Sequence, residues 1–140
     1  MDGIFWIGTA NGLVRFDSSG ETFTAFQNNP DQPNSLSNNL IKSILEDPVH
    51  PETTLWIGTS GGLNKFDYKA GLFEHFTEED GLPNEVVYGI LPDDDSNLWL
   101  STNKGLSRFN PQAGTFRNFD VRDGLQSNEF NTGAYFRSES

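Results

Sequence analysis

Leu55-Trp56-Ile57-Gly58-Thr59 decides the reading of this chain, because the segment occurs three times. Phe5-Trp6-Ile7-Gly8-Thr9 precedes it and Leu98-Trp99-Leu100-Ser101-Thr102 follows it, with the tryptophans 50 and then 43 residues apart. Six positions after each Trp stands a glycine followed by leucine: Gly12-Leu13, Gly62-Leu63 and Gly105-Leu106. Ten positions after it stands Phe16, Phe66 or Phe109, followed by Asp17, Asp67 or Asn110. The pairs Phe23/Phe26, Phe73/Phe76 and Phe116/Phe119 complete the pattern, so nine of the 12 phenylalanines occupy three equivalent sites per repeat.

Each unit reads as four short strands. An apolar first strand (40–46 or 86–91) is followed by the Trp strand, a glycine turn, and a third strand ending at Phe-Asp. A second turn, as at Tyr68-Lys69-Ala70-Gly71, leads to the strand with the Phe pair. A period of 40 to 50 residues with four strands per unit is the pattern of a β-propeller blade. Blades pack on both faces, which explains strands that are apolar on both sides rather than alternating. The extra residues between the first two tryptophans fall at Asp47–Glu52, between the first and second strands, where an insertion belongs in a loop. A linker motif joins the units: Asp80-Gly81-Leu82-Pro83-Asn84-Glu85 recurs as Asp123-Gly124-Leu125-Gln126-Ser127-Asn128-Glu129, with a looser form at Ser35–Asn39.

The composition agrees with an all-β chain. Across 140 residues there are 12 Phe, 3 Trp and 14 Gly but one Met, and no helix-period apolar stripe of ten or more residues. The net charge of −11 argues against nucleic acid as a partner. With no cysteine, disulfides, thiol nucleophiles and Cys-ligated metals are excluded. The longest apolar stretch, near Ile4–Ile7, is too short for membrane insertion, and Met1-Asp2-Gly3 begins no signal peptide.

The Leu-Trp-Ile-Gly-Thr, Gly-Leu, Phe-Asp and Asp-Gly-Leu-Pro-Asn elements resemble the two-component regulator propeller repeat of hybrid histidine kinase sensor regions. The resemblance covers essentially the whole chain, and Asp123–Asn131 looks like the variant found towards the end of such arrays. It implies a sensor propeller, commonly for glycan fragments, that signals to a β-sandwich and kinase. It also implies a periplasmic or extracellular location. These 140 residues contain neither the sandwich nor the kinase, so the resemblance implies the module and not a signalling output.

Counting strands gives a separate expectation. Three strands precede the first linker, two blades of four follow, and one strand over 129–136 remains. The blades are thus 1–28 plus 129–136 from a partner chain, 36–78 and 82–121. Three blades are too few to close a ring. The expected assembly is a head-to-tail homodimer in which 129–136 completes the partner's first blade and two chains form a six-bladed ring. The rival is a piece of a longer array.

Linkers and the turns between second and third strands open on one face. That face is expected to carry Asp80, Asn84, Glu85, Asp123, Asn128 and Glu129 with Asn11, Ser60 and Asn103, beside Tyr88, Phe130 and Tyr135. Together they suit a carbohydrate or other small polar ligand. The competing reading makes Asp-Gly-Leu a turn whose Asp bonds backbone and whose Leu plugs the blade junction. The Trp and Phe ladders are expected in the inter-blade core, and Thr9, Thr59 and Thr102 are expected to bond within their blades. Asp93, Asp94 and Asp95 are the one dense oxygen cluster and a weak calcium candidate, but they lie in a tight turn and lack calcium-loop spacing. No other cofactor is indicated. His50 and His75 have no metal spacing, and no catalytic constellation is present. The expected function is a non-catalytic ligand-binding module. A protein-interaction scaffold is the first alternative, and a propeller lyase or hydrolase the second.

Overall fold

The computed structural model describes residues 3–119. The chain forms three antiparallel sheets in sequence order. The first holds β1 (Ile4–Thr9), β2 (Gly12–Asp17) and β3 (Thr22–Phe26). The second holds β4 (Ile41–Glu46), β5 (Thr54–Thr59), β6 (Gly62–Asp67) and β7 (Leu72–Phe76). The third holds β8 (Val87–Pro92), β9 (Leu98–Thr102), β10 (Gly105–Asn110) and β11 (Thr115–Phe119). In each sheet strands follow one another side by side, as in propeller blades. The helical content of the described residues is one 3-10 turn, Glu78–Asp80. The strand expected over 129–136 lies outside the described residues.

The repeated residues are the ones that shape the blade. After β1, β5 and β9 the chain reverses in two residues. Thr9, Thr59 and Thr102 each donate Oγ1 to the carbonyl of Gly12, Gly62 or Gly105 at 2.8–2.9 Å. The same hydroxyls accept the N–H of Asn11, Gly61 or Lys104 at 2.9–3.1 Å, as expected of these threonines. Gly62 sits at φ 115°, and a Cβ there would lie 2.6 Å from the Phe76 carbonyl oxygen, so only glycine fits. At the other end, Asp17, Asp67 and Asn110 accept the backbone N–H two residues on at 3.0–3.1 Å, closing the turn to the last strand.

Blades then pack face to face through aromatic rings. Trp6 and Phe26 lie 6.0 Å apart at 41°, and Trp56 and Phe76 repeat that distance and angle. Into each pair projects an equivalent phenylalanine from the following blade. Phe66 lies 5.6 Å from Trp6 and 5.1 Å from Phe26; Phe109 lies 5.6 Å from Trp56 and 5.0 Å from Phe76. At these two junctions the Trp and Phe ladders are inter-blade core, whereas Phe5 and Phe23 of the first blade are exposed. Leu36 and Leu82, from the two described linkers, are 0% and 3% exposed and join the same two clusters. Linker leucines thus wedge the junctions. The second strand of one blade also approaches the first strand of the next: a Cβ on Gly58 of β5 would lie 2.8 Å from the Val87 carbonyl of β8.

Candidate functional site

The linker-face residues divide into those consumed by the fold and those left over. Asp80 accepts the Thr77 N–H through Oδ2 at 2.9 Å, closing the 3-10 turn. Asn84 accepts the Val86 N–H through Oδ1 at 2.9 Å, and Asn38 does the same for Leu40 one blade earlier. Both candidates hold backbone, as the turn reading of the motif expects. Glu85 is exposed and Tyr88 half-buried. Asp123, Asn128, Glu129, Phe130 and Tyr135 lie outside the described residues.

The ladder itself marks two further positions. Between β4 and β5, Ile41 pairs Thr59 and Ser43 pairs Gly58, so Lys42 is an extra residue in the register. Between β8 and β9, Val87 pairs Thr102 and Gly89 pairs Ser101, leaving Tyr88 extra in the same way. A bulge of this kind re-aims a side chain out of the regular ladder. Lys42 and Tyr88 thus occupy equivalent rungs of neighbouring first strands, with the Lys42 ammonium 5.2 Å from the centre of the Tyr88 ring. Sequence reasoning singled out Tyr88 and missed Lys42. The repeat alignment held the signal, since Lys42 stands 14 residues before Trp56 whereas Tyr88 stands 11 before Trp99, and the longer loop hid the correspondence.

The acidic turn has a structural occupation. The Asp93 carboxylate accepts the backbone N–H groups of Asp95 at 2.8 Å and Asn97 at 3.0 Å, and the Trp99 indole N–H at 3.1 Å. Arg108 pairs with it at 3.2 Å and reaches Asp95 at 3.6 Å. Burial pushes the Asp93 carboxyl up, but these backbone, indole and guanidinium donors together hold it below the ordinary carboxylate value. Among the described residues, no group of three or more His, Cys, Asp or Glu is placed to hold a metal ion. Asp47 is the counterpart in the second blade. Its Oδ1 accepts the Trp56 indole N–H, and its Oδ2 accepts the backbone N–H groups of Val49 and His50. The side chain of His75 meets the Ser35 carbonyl, fastening β7 to the preceding linker.

At the end of the sheets opposite the linkers, a polar cleft of about 450 Å³ separates the second and third blades. His50, Thr54, Lys65, Asn97, Asn110 and Gln112 contribute to its lining. No sequence motif pointed to it, because its walls combine the insertion, two unrelated turns and side chains of β5 and β6.

Residues 81–104, from the linker through Tyr88 and Trp99, match the family described as two component regulator propeller. The matched segment is similar to that repeat type. A solved structure similar to this chain is the extracellular domain of BT3049 from B. thetaiotaomicron, described as a hybrid two component system. The TM-score is 0.77 at 26% identity over 84% of this chain. The extracellular domain of BT4673 from the same organism, described in the same terms, aligns over 86% of this chain at 21% identity and a TM-score of 0.43. The chain spans 16% and 24% of those two chains. No curated protein matches.

Proposed function

We propose that this chain is a non-catalytic, ligand-binding sensor module of the two-component regulator propeller type, working in the periplasm or outside the cell. Its ligand is a carbohydrate or small polar molecule bound on the linker face beside Tyr88 and Lys42. One observation carries the reading. At matching bulges, where the repeat is otherwise uniform, the chain places two chemically different side chains against each other. Repeated residues such as Asn84 and Thr59 are occupied with backbone. The bulged residues are spared that duty and are available to a ligand. A phenol offers a flat face and a hydroxyl to a sugar ring, and an ammonium adds a point charge for an acidic substituent. The location follows the extracellular domains that the chain resembles.

Calorimetric titration with neutral and acidic oligosaccharides tests this. Binding should weaken at least about tenfold in Tyr88→Ala and in Lys42→Ala, and stay unchanged in Lys65→Ala, which alters the opposite cleft. Binding lost only in Lys65→Ala moves the site to that cleft. Absence of binding across the panel overturns the ligand reading in favour of a protein-interaction scaffold.

A further inference from the structure

The second blade junction leaves open a space that the first junction fills. Tyr68 stands two residues after Phe66, and its ring packs on Trp6 of the preceding blade at 5.4 Å. Its hydroxyl donates to the Pro51 carbonyl at 3.0 Å, tying the ring to the inserted loop. One blade later the same position, two residues after Phe109, is Pro111. Proline has neither the reach nor the hydroxyl of tyrosine. The polar cleft of about 450 Å³ lies there, with Trp56 and Pro111 both in its lining. Over Trp56 stands the Lys65 ammonium instead, 5.8 Å from the ring centre. Both walls come from neighbouring blades of this chain, so the opening exists whatever covers the outer faces of the series.

Charges in this cleft are unevenly matched. Asp47 is spent on the Trp56 indole and on two backbone N–H groups. Asp95 faces the Arg108 guanidinium at 3.6 Å. Lys65 is half-buried and makes no ion pair among the described residues. His50, Asn97 and Gln112 also line the space. They bond through their backbone, and their side chains make no hydrogen bond among the described residues. The unspent groups are thus an ammonium, an imidazole and two amides, which together offer more donors than acceptors. The loop that carries His50 is already fixed. Its N–H goes to Asp47 at 2.7 Å, and its carbonyl accepts the N–H groups of Thr53 at 3.2 Å and Thr54 at 3.1 Å. A wall held in this way needs little ordering when a ligand arrives.

We infer that this cleft is a second binding site, for a small hydroxycarboxylate whose carboxylate pairs with the Lys65 ammonium. The amides of Asn97 and Gln112 donate to the remaining oxygens, and the volume suits one small molecule. A neutral polyol leaves the ammonium unmatched. With a net charge of −11 on the chain, an anion is held only where a cation stands unpaired. The site lies at the end of the sheets opposite Lys42 and Tyr88 and needs neither of them.

Nuclear magnetic resonance titration of the 140-residue protein with malate tests the inference, with glycerol and inorganic phosphate as comparisons at constant ionic strength. Malate should shift the backbone amides of His50, Asn97 and Gln112 saturably, with a Kd below about 1 mM. Glycerol and phosphate should bind at least about tenfold more weakly. Lys65→Met keeps an apolar stem beside Trp56 and removes the charge, and should weaken malate by about tenfold or more. Pro111→Tyr restores the plug of the first junction and should abolish the shifts. Unchanged spectra away from the cleft show that each variant folds. Tyr88→Ala should bind malate as the wild type does, so this site and the linker face stand or fall separately. The inference is overturned by the absence of saturable malate shifts, or by shifts centred on Lys42 and Tyr88. Equal affinity for glycerol or phosphate, or wild-type malate affinity in either folded cleft variant, overturns it too.

Discussion

Trp56 donates its indole N–H to Asp47 at 2.6 Å across the first two strands of the second blade, and Trp6, its counterpart, has the same atom buried without a partner among the described residues. Trp99 makes the equivalent bond to Asp93. An aspartate just past a first strand therefore anchors the blade tryptophan wherever that strand is among the described residues. Asp47→Ala should cost about 2–3 kcal/mol in urea unfolding, because the indole and two backbone N–H groups lose their acceptor. Trp56→Phe should cost about 1–2 kcal/mol more than Trp6→Phe, which deletes a donor that has no partner.

The linker leucines provide a second measurement. Leu36→Ala and Leu82→Ala should each lower stability by about 2–5 kcal/mol, the range for a buried leucine in a packed core. Values near zero would return Asp-Gly-Leu to the surface and undo its reading as a wedge.

Two glycines separate conformation from crowding. Gly62 and Gly71 both have positive φ, but a Cβ on Gly71 meets nothing within 4 Å, whereas one on Gly62 meets the Phe76 carbonyl. Gly71→Ala should therefore cost about 1 kcal/mol and Gly62→Ala clearly more, about 2–4 kcal/mol. Paired chemical melts read the difference directly.

Acid should loosen the third blade through Asp93. Its folded-state pKa lies below the unfolded one, so folding favours the ionised carboxylate. The resulting stability is complete above the ordinary Asp value of about 3.9 and is lost as the pH falls through the lower folded value. Denaturation midpoints measured from pH 6 down to pH 3 should fall at the acid end. In Asp93→Asn that fall should be shallower, although Asp17, also held low chiefly by the Ser19 hydroxyl, contributes to it in both proteins.

Much of this fold was legible because each repeated residue has a backbone or packing duty. The Thr-Gly turn, the Phe-Asp turn and the Trp–Phe contacts recur at fixed spacing, and spacing is visible without coordinates. Lys42 was not legible for a physical reason. The inserted loop after β4 shifts Lys42 to 14 residues before its tryptophan against 11 for Tyr88, so the bulge it shares with Tyr88 has no common spacing to reveal it. The Asp47–Trp56 bond was hidden similarly: nine residues separate those partners and six separate Asp93 from Trp99, although the contact is the same. Asp93 looked like a possible ion ligand because composition shows how many carboxylates are present, not which donors already occupy them.

The middle sheet has both faces covered, and β5 is buried at all six positions while β1 is fully buried at none. Within one chain, local opening is therefore graded along the sequence. Each blade borrows its resistance from its neighbours, as in a short linear array with nearest-neighbour coupling. In a hydrogen-exchange measurement, amide protons of β5 and β6 should exchange with solvent last and those of β1 early. A damaging substitution in the second blade should release both described junctions at once, whereas the same change in the first blade should release only one of them.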